Sequence, residues 1–155
     1  MPFGYCQAIW NSTAVITAII GEDYALPLPE LTTALAVHTP QNFGETSLVV
    51  IGPSGIGKTT YALWIAPKPA LVVTHLDDLR QLTSRVKSIV FDDMTFSHHP
   101  RESQIHLVDR YLTRSIHMRY RTATIPAGIV KIFTANYYPF IQDSAIERRV
   151  NLLNV

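Results

Sequence analysis

Residues Gly52, Pro53, Ser54, Gly55, Ile56, Gly57, Lys58 and Thr59 fill the pattern G-x-x-x-x-G-K-[ST] without a mismatch, a spacing suited to holding phosphate. Glycines free of Cβ let backbone N–H groups close around the anion, the lysine ammonium reaches its outer oxygens, and the threonine hydroxyl can ligate Mg²⁺. The strand-like run Ser47 to Ile51 leads in, and a short helix-like run beginning at Thr60 leads out. The positive end of that helix's dipole would then face the phosphates, with the stretch Gly52 to Thr60 as the nucleotide-binding segment.

Three further clusters complete a set of parts for nucleoside triphosphate chemistry. Ser88-Ile89-Val90-Phe91 is an apolar strand that ends in Asp92 and Asp93. At the carboxyl end of a parallel strand Asp92 would hold Mg²⁺, directly or through water, and Asp93 would polarise the attacking water. Lys131 to Ala135 is another such run, ending in Asn136, whose amide can donate to a γ-phosphate and accept from the lytic water. Arg148 and Arg149 precede the last apolar run. They suit either a surface pairing with Asp143 or Glu147, or an arginine finger that crosses a subunit boundary.

The elements that must position these residues read as α/β. Strand-length apolar runs at 47–51, 70–74, 88–91, 130–134 and 150–153 alternate with amphipathic stretches, which implies a five-stranded, mostly parallel sheet with both faces covered. Leu76, Leu79, Leu82 and Val86 have helical spacing, with Asp77 and Asp78 in the first turn. A second helix is expected to open at Pro100 and bury Ile105, Val108 and Leu112. Pro67 and Pro69 are expected to stop the helix that follows the phosphate loop. Residues 1–46 read as a helical or linker preamble, with short helices around 8–20 and 29–37 that could serve subunit contact, and residues 47–155 as the ATPase unit.

With 155 residues, 47% of them hydrophobic and 16% charged, the chain can bury a core of its own and is not a disordered tail. The single cysteine, Cys6, cannot form an intrachain disulfide, and the start lacks a basic signal region, so a reducing, intracellular compartment is expected. The apolar run Ala14 to Ile20 is well short of the roughly 20 residues that span a bilayer, so no membrane segment is expected. The net charge of +1 hides a polarity, because all 13 Lys and Arg lie at or after Lys58. Arg101, Arg110, Arg114, Arg119 and Arg121 form a basic stretch against only Glu102 and Asp109, of a kind that meets phosphate backbones.

In this order the four clusters resemble the superfamily 3 helicase domain, an AAA+ relative found in the replication-associated proteins of small circular single-stranded DNA viruses. The resemblance covers about residues 45–155 and implies a P-loop NTPase with an AAA+-like three-layer fold. It also implies ATP and Mg²⁺ as ligands, and single-stranded DNA as partner of a homo-oligomeric, hexameric ring in the host nucleus. That family carries a DNA-gripping hairpin between the second and third clusters, where this chain reads Ile116-His117-Met118-Arg119-Tyr120-Arg121. The alternation has the period of a strand with one apolar and one cationic face. Arg119 stands for the family's lysine, with His117 and Arg121 in support, while Tyr120 either stacks on a base or packs in the core. The family's Gly-Gly hairpin tip is missing here, as is the origin-nicking endonuclease, so the resemblance implies the helicase part of a longer protein. The rival readings are a nucleotide-dependent DNA-binding scaffold that does not unwind, and a small P-loop phosphotransferase.

Overall fold

The computed structural model describes Ile19, Ile20, residues 46–118 and residues 120–155. Its elements are β1 (Ile19–Ile20), β2 (Ser47–Ile51), α1 (Lys58–Ile65), β3 (Ala70–Val73), a 3₁₀ helix (Leu76–Gln81), β4 (Ser88–Asp92), α2 (Arg101–Val108), β5 (Arg114–His117), β6 (Thr122–Ile125), β7 (Val130–Ala135), α3 (Ser144–Glu147) and β8 (Val150–Asn154). All five expected strands form, each within one residue of its expected end. They run parallel in a sheet of order β1-β3-β4-β7-β2-β8, where β1 adds a short antiparallel pair with β3. Ile19 and Ile20 are therefore strand, whereas the expected helix ran to residue 20. The rest of that helix, and the one around 29–37, lie outside the described residues.

Alternation along the strands divides the core into two layers. Leu48, Val50, Val90, Val130 and Ile132 face α1, where they meet Tyr61, Ala62 and Leu63. Val49, Leu71, Val73, Ile89, Phe91 and Phe133 face the other side, against Ile105 and Leu107 of α2 and Ile116 and Ile125 of the β5–β6 hairpin. Both faces are covered, which explains why these strands read as unbroken apolar runs. Phe91 and Phe133 stack with centroids 4.5 Å apart, and Phe96 sets its edge against both. Such pairs are worth about 0.5–1.5 kcal/mol each beyond their burial. They clamp β4 to β7 next to Asp92 and Thr134, the residues that follow each ring.

Three expectations are corrected. The stretch after β3 is a single 3₁₀ helix, since Leu76, Leu79 and Leu82 recur every three residues, the period at which 3₁₀ side chains align. Asp78 fixes its start by accepting from the amides of Thr74 (3.0 Å) and His75 (3.1 Å). Helix α2 ends at Val108, leaving Leu112 57% exposed, because Asp109 leaves the helix to enter a buried ion-pair cluster. The run from Ile116 to Arg121 is not one strand: β5 ends at His117 and the Met118 amide donates to the Arg121 carbonyl (2.7 Å), closing a hairpin with β6.

Lys131, the second residue of β7, is almost fully buried and donates from Nζ to the carbonyls of His106 (3.3 Å) and Asp109 (2.8 Å) where α2 ends. Burial pushes its ammonium from the ordinary 10.5 down to about 7; the Asp109 carboxylate opposes the fall, and Arg110 and Arg114 add to it. Between these two values the unfolded chain binds more protons than the folded one. This lysine therefore makes stability rise with pH across that window and contributes no slope below it. Replacing it tests the sign: urea unfolding from pH 7 to 10 should show a stability gain with pH that is smaller in Lys131→Met than in the wild type. The difference should be on the order of 1 kcal/mol per pH unit. Parallel curves would mean that the folded protein holds Lys131 charged throughout.

Candidate nucleotide site

The sheet order places β7 between β2 and β4, so three strand ends that carry polar residues lie side by side. Asp92 pairs with Thr134 and Ile51 with Ala135, one step before the phosphate loop and Asn136 begin. The loop leaves β2 at Gly52, passes Gly55 and Gly57 at φ of 81° and 93°, and enters α1 at Lys58. Residues with a Cβ are disfavoured at those angles, which is why the turn takes glycine there. Gly52 answers a different need: a Cβ on it would lie 2.7 Å from Val155 Cγ2 and 2.9 Å from the Val155 carbonyl oxygen. The amide of Val155 donates to Ile51 (2.8 Å), so the end of β8 is fixed against the start of the loop.

Ser54, Gly55, Gly57, Lys58, Thr59, Thr60, Asp92, Asp93, Thr134 and Asn136 line one cleft of about 410 Å³. The first N–H groups of α1 have no acceptor within the helix, and they open toward it. Lys58 Nζ uses its three donors on the carbonyls of Gly52 (2.6 Å) and Pro53 (2.8 Å) and on Asn136 Oδ1 (3.1 Å). Asn136 Nδ2 in turn donates to Ser54 Oγ (3.1 Å), which ties the loop to the end of β7. Asp92 Oδ1 accepts from the hydroxyls of Thr59 and Thr134, the latter at 3.0 Å. Pro53 and Ile56 belong to the loop, outside the residues that line the cleft.

Asp93 takes a left-handed conformation, φ 52°, which aspartate tolerates better than most residues. Its amide donates to the Thr134 carbonyl (2.9 Å) and lies 3.2 Å from Thr134 Oγ1, so the chain turns sharply and brings the Asp93 side chain to the cleft wall. Thr134 thus contacts both carboxylate residues. Sequence reading gave it no role, although a hydroxyl two residues before Asn136, in an otherwise apolar strand, was a visible signal. A second hollow of about 300 Å³, lined also by Met94, Thr95, Tyr137 and Tyr138, shares Asp93 and Asn136 with the first.

Oxygen donors from Thr59 and Asp92 meet at one point, and this fits Mg²⁺, which typically takes one or two protein ligands and completes its shell from phosphates and water. Among the described residues no cluster of three His, Cys, Asp or Glu side chains could hold a metal without such help.

The remaining candidates lie elsewhere. Arg148 and Arg149 precede β8, and the first residue of β8 pairs with Ser47, at the end of β2 away from the loop. Five strand residues at about 3.3 Å each, roughly 16 Å, separate them from their own loop. Arg149 is committed to its own chain: Nη1 donates to the Ala145 carbonyl (2.7 Å), and Nε lies 3.9 Å from Asp109 Oδ1. Arg148 is exposed. His117 is exposed on β5, with Nδ1 3.2 Å from Thr122 Oγ1, and Arg121 is exposed at the hairpin turn. Tyr120 is 86% exposed, so it is not a core residue. Arg119 lies outside the described residues.

No protein-family model matches the chain. No curated protein matches it in sequence. Among solved structures, the X-ray structure of JCV helicase is similar at a TM-score of 0.37 and 17% identity, over 81% of this chain and 37% of that one. The chain thus corresponds to little more than a third of that helicase, and a likeness of this degree carries no functional argument.

The close approach at Gly52 can be checked by substitution. Gly52→Ala forces Val155 and Ile56 apart from the loop and should cost about 1–3 kcal/mol of stability in urea unfolding, as overpacking does. An unchanged midpoint would mean that the end of β8 is free to move away.

Proposed function

We propose that the chain is an ATP hydrolase of the P-loop class with an AAA+-like, three-layer build, which assembles into a ring and moves on single-stranded DNA as superfamily 3 helicases do. The observation that carries this reading is the meeting of Lys58, Thr59, Asp92, Asp93 and Asn136 around one cleft, from three adjacent parallel strands.

The roles follow from the positions. Loop amides and the N-terminus of α1 receive the β-phosphate. Lys58 exchanges its loop carbonyls for β- and γ-phosphate oxygens, and Asn136, already in contact with Lys58, meets the γ-phosphate from the side of β7. When bound at Thr59 and Asp92, Mg²⁺ neutralises phosphate charge. Asp93 orients a water and accepts its proton as the water oxygen bonds to the γ-phosphorus. The bond to the bridging oxygen breaks, leaving ADP and phosphate.

Since neither arginine can reach its own cleft, any that serves one must come from a second copy. Arg148 is the better candidate, because Arg149 already braces its own turn. The hollow beside Asp93 and Asn136 offers an open approach to the γ-phosphate corner. At the hairpin, His117, Arg121 and the exposed Tyr120 suit phosphate contact and base stacking, and Arg119 lies between His117 and Arg121 in the sequence.

Hydrolysis and strand-displacement measurements test this reading. Phosphate release per subunit should rise with protein concentration as copies assemble, because a finger supplied in trans is worth about 10³-fold or more. Lys58→Ala should abolish hydrolysis, and Asp93→Asn should keep ATP binding while losing turnover. Arg148→Ala should remove the concentration-dependent part of the rate and leave ATP binding intact. A rate per subunit independent of concentration would refute the trans assignment, and ATP turnover without displacement of a duplex strand would favour the scaffold.

A further inference from the structure

The charges that the proposed chemistry leaves unused gather at the opposite end of the sheet. Asp109, 2% exposed, directly follows α2. Its Oδ2 accepts from Arg114 Nε at 2.6 Å and its Oδ1 from the Tyr111 amide at 3.0 Å, while Arg149 Nε lies 3.9 Å from Oδ1. Burial alone would raise this carboxyl, but the Tyr111 amide, Arg114 and Arg149 together hold it below the usual carboxylate range. The two guanidinium groups belong to different parts of the fold. Arg114 is the first residue of β5 and so the root of the hairpin, whereas Arg149 is bonded along the backbone to Arg148 and caps α3 through the Ala145 carbonyl.

We propose that Asp109 is a positioning residue that joins the β5–β6 hairpin to the Arg148–Arg149 turn. Through it, engagement of the hairpin by single-stranded DNA changes how Arg148 is presented to a neighbouring copy. The inference rests on the ring ATPase reading given above. Its physical basis is one buried carboxylate shared unequally by two arginines: Arg114 holds a short bond and Arg149 stands beyond hydrogen-bond distance. Leaving a buried charge without its ionic partner is strongly unfavourable, and the Tyr111 amide alone carries no opposite charge. If a load on the hairpin draws Arg114 away, the carboxylate must recruit Arg149, and the backbone carries Arg148 with it. The contacts are contiguous, and coupling between the two sites requires a second arrangement beside the one seen, with Arg149 in place of Arg114 on the carboxylate. Arg110 does not compete for the carboxylate, because its guanidinium is spent on the carbonyls of Ile129 (2.9 Å), Gly128 (2.9 Å) and Thr46 (3.3 Å).

The test uses the whole chain, with ATP and an oligo-dT strand. Asp109→Asn should keep the DNA-free hydrolysis rate within about twofold of wild type and keep oligo-dT affinity, and yet lose most of the rate increase that oligo-dT gives the wild type. Arg114→Lys retains the charge but loses the Nε donor, and should lose the same stimulation if Asp109→Asn does not fold. Stimulation equal to wild type in a folded variant overturns the proposal, as does a wild type that hydrolyses ATP but ignores DNA. A double-mutant cycle of Arg114→Gln and Arg149→Gln on thermal unfolding reads the joint without any activity. Non-additive losses are expected, and strict additivity overturns the shared carboxylate. A coupled cycle in a chain that never hydrolyses ATP would refute the ATPase reading, and with it the role of the joint, while the joint itself would stand.

Discussion

The site depends on β7 being hydrogen-bonded between β2 and β4. Parallel strands send their carboxyl ends to one edge of the sheet, and only this neighbour order puts the phosphate loop, the amide and the two carboxylates within side-chain reach of one another. Thr134 shows how tight the arrangement is. It pairs with Val50 on one side and Asp92 on the other, and its hydroxyl donates to the same Asp92 carboxylate that Thr59 approaches from the loop. A slip of one residue in β7 would turn Thr134 and Phe133 each to the face opposite its present one. That would break both the hydroxyl contact and the stacked ring of Phe91, so packing and polar geometry enforce the same register.

The cleft's polar groups are already paired with one another, and this sets the energetics of binding. Lys58 gives up three acceptors when it turns to an anion, so the net gain is the difference between bonds to neutral carbonyls and stronger bonds to phosphate. Because Asn136 contacts both Lys58 and Ser54, that exchange cannot occur without disturbing the end of β7. The left-handed backbone at Asp93 is held by two contacts to Thr134, and strain of that kind persists only where neighbours over-determine it. Thr134, which with Thr59 fixes the Asp92 carboxylate, therefore also aims Asp93.

What could be read in advance followed from local signals. The phosphate loop is a contiguous pattern, and the five strands are contiguous apolar runs, so their existence and limits were legible from neighbouring residues alone. The neighbour order that brings Asp92, Asn136 and Lys58 together is a long-range property; the chemical sense of the parts grouped these residues, but the order of the strands was not read. The misses have the same origin. Leu112 looks like the next apolar position of α2, but the helix stops where the buried Asp109 meets partly buried arginines from β5 and from the turn before β8, the latter distant in sequence. Tyr120 alternates as though in a strand, yet a hairpin turn closes at Met118 and Arg121 and leaves it outside. Lys131 gave no sign of burial in its sequence context. It is tolerated because the end of α2 presents it with two carbonyls.

The two ends of the sheet thus have different chemistry and a rigid, apolar layer between them. At the carboxyl ends lie the phosphate loop and its acids; at the amino ends lie Asp109, Arg114, Lys131 and Arg149, near the hairpin root and the turn that carries Arg148. Strands packed on both faces deform little, since interiors at crystal-like density have few alternative arrangements. A signal from the hairpin to the cleft is therefore poorly served by the strands of one subunit. The shorter route, on the proposed ring, is sideways at the amino end, through side chains that share a carboxylate, and then across to the cleft of the next copy. In the proposed ring the separation of the arginines from their own cleft is what would make assembly matter: a residue that one chain cannot use would serve its neighbour.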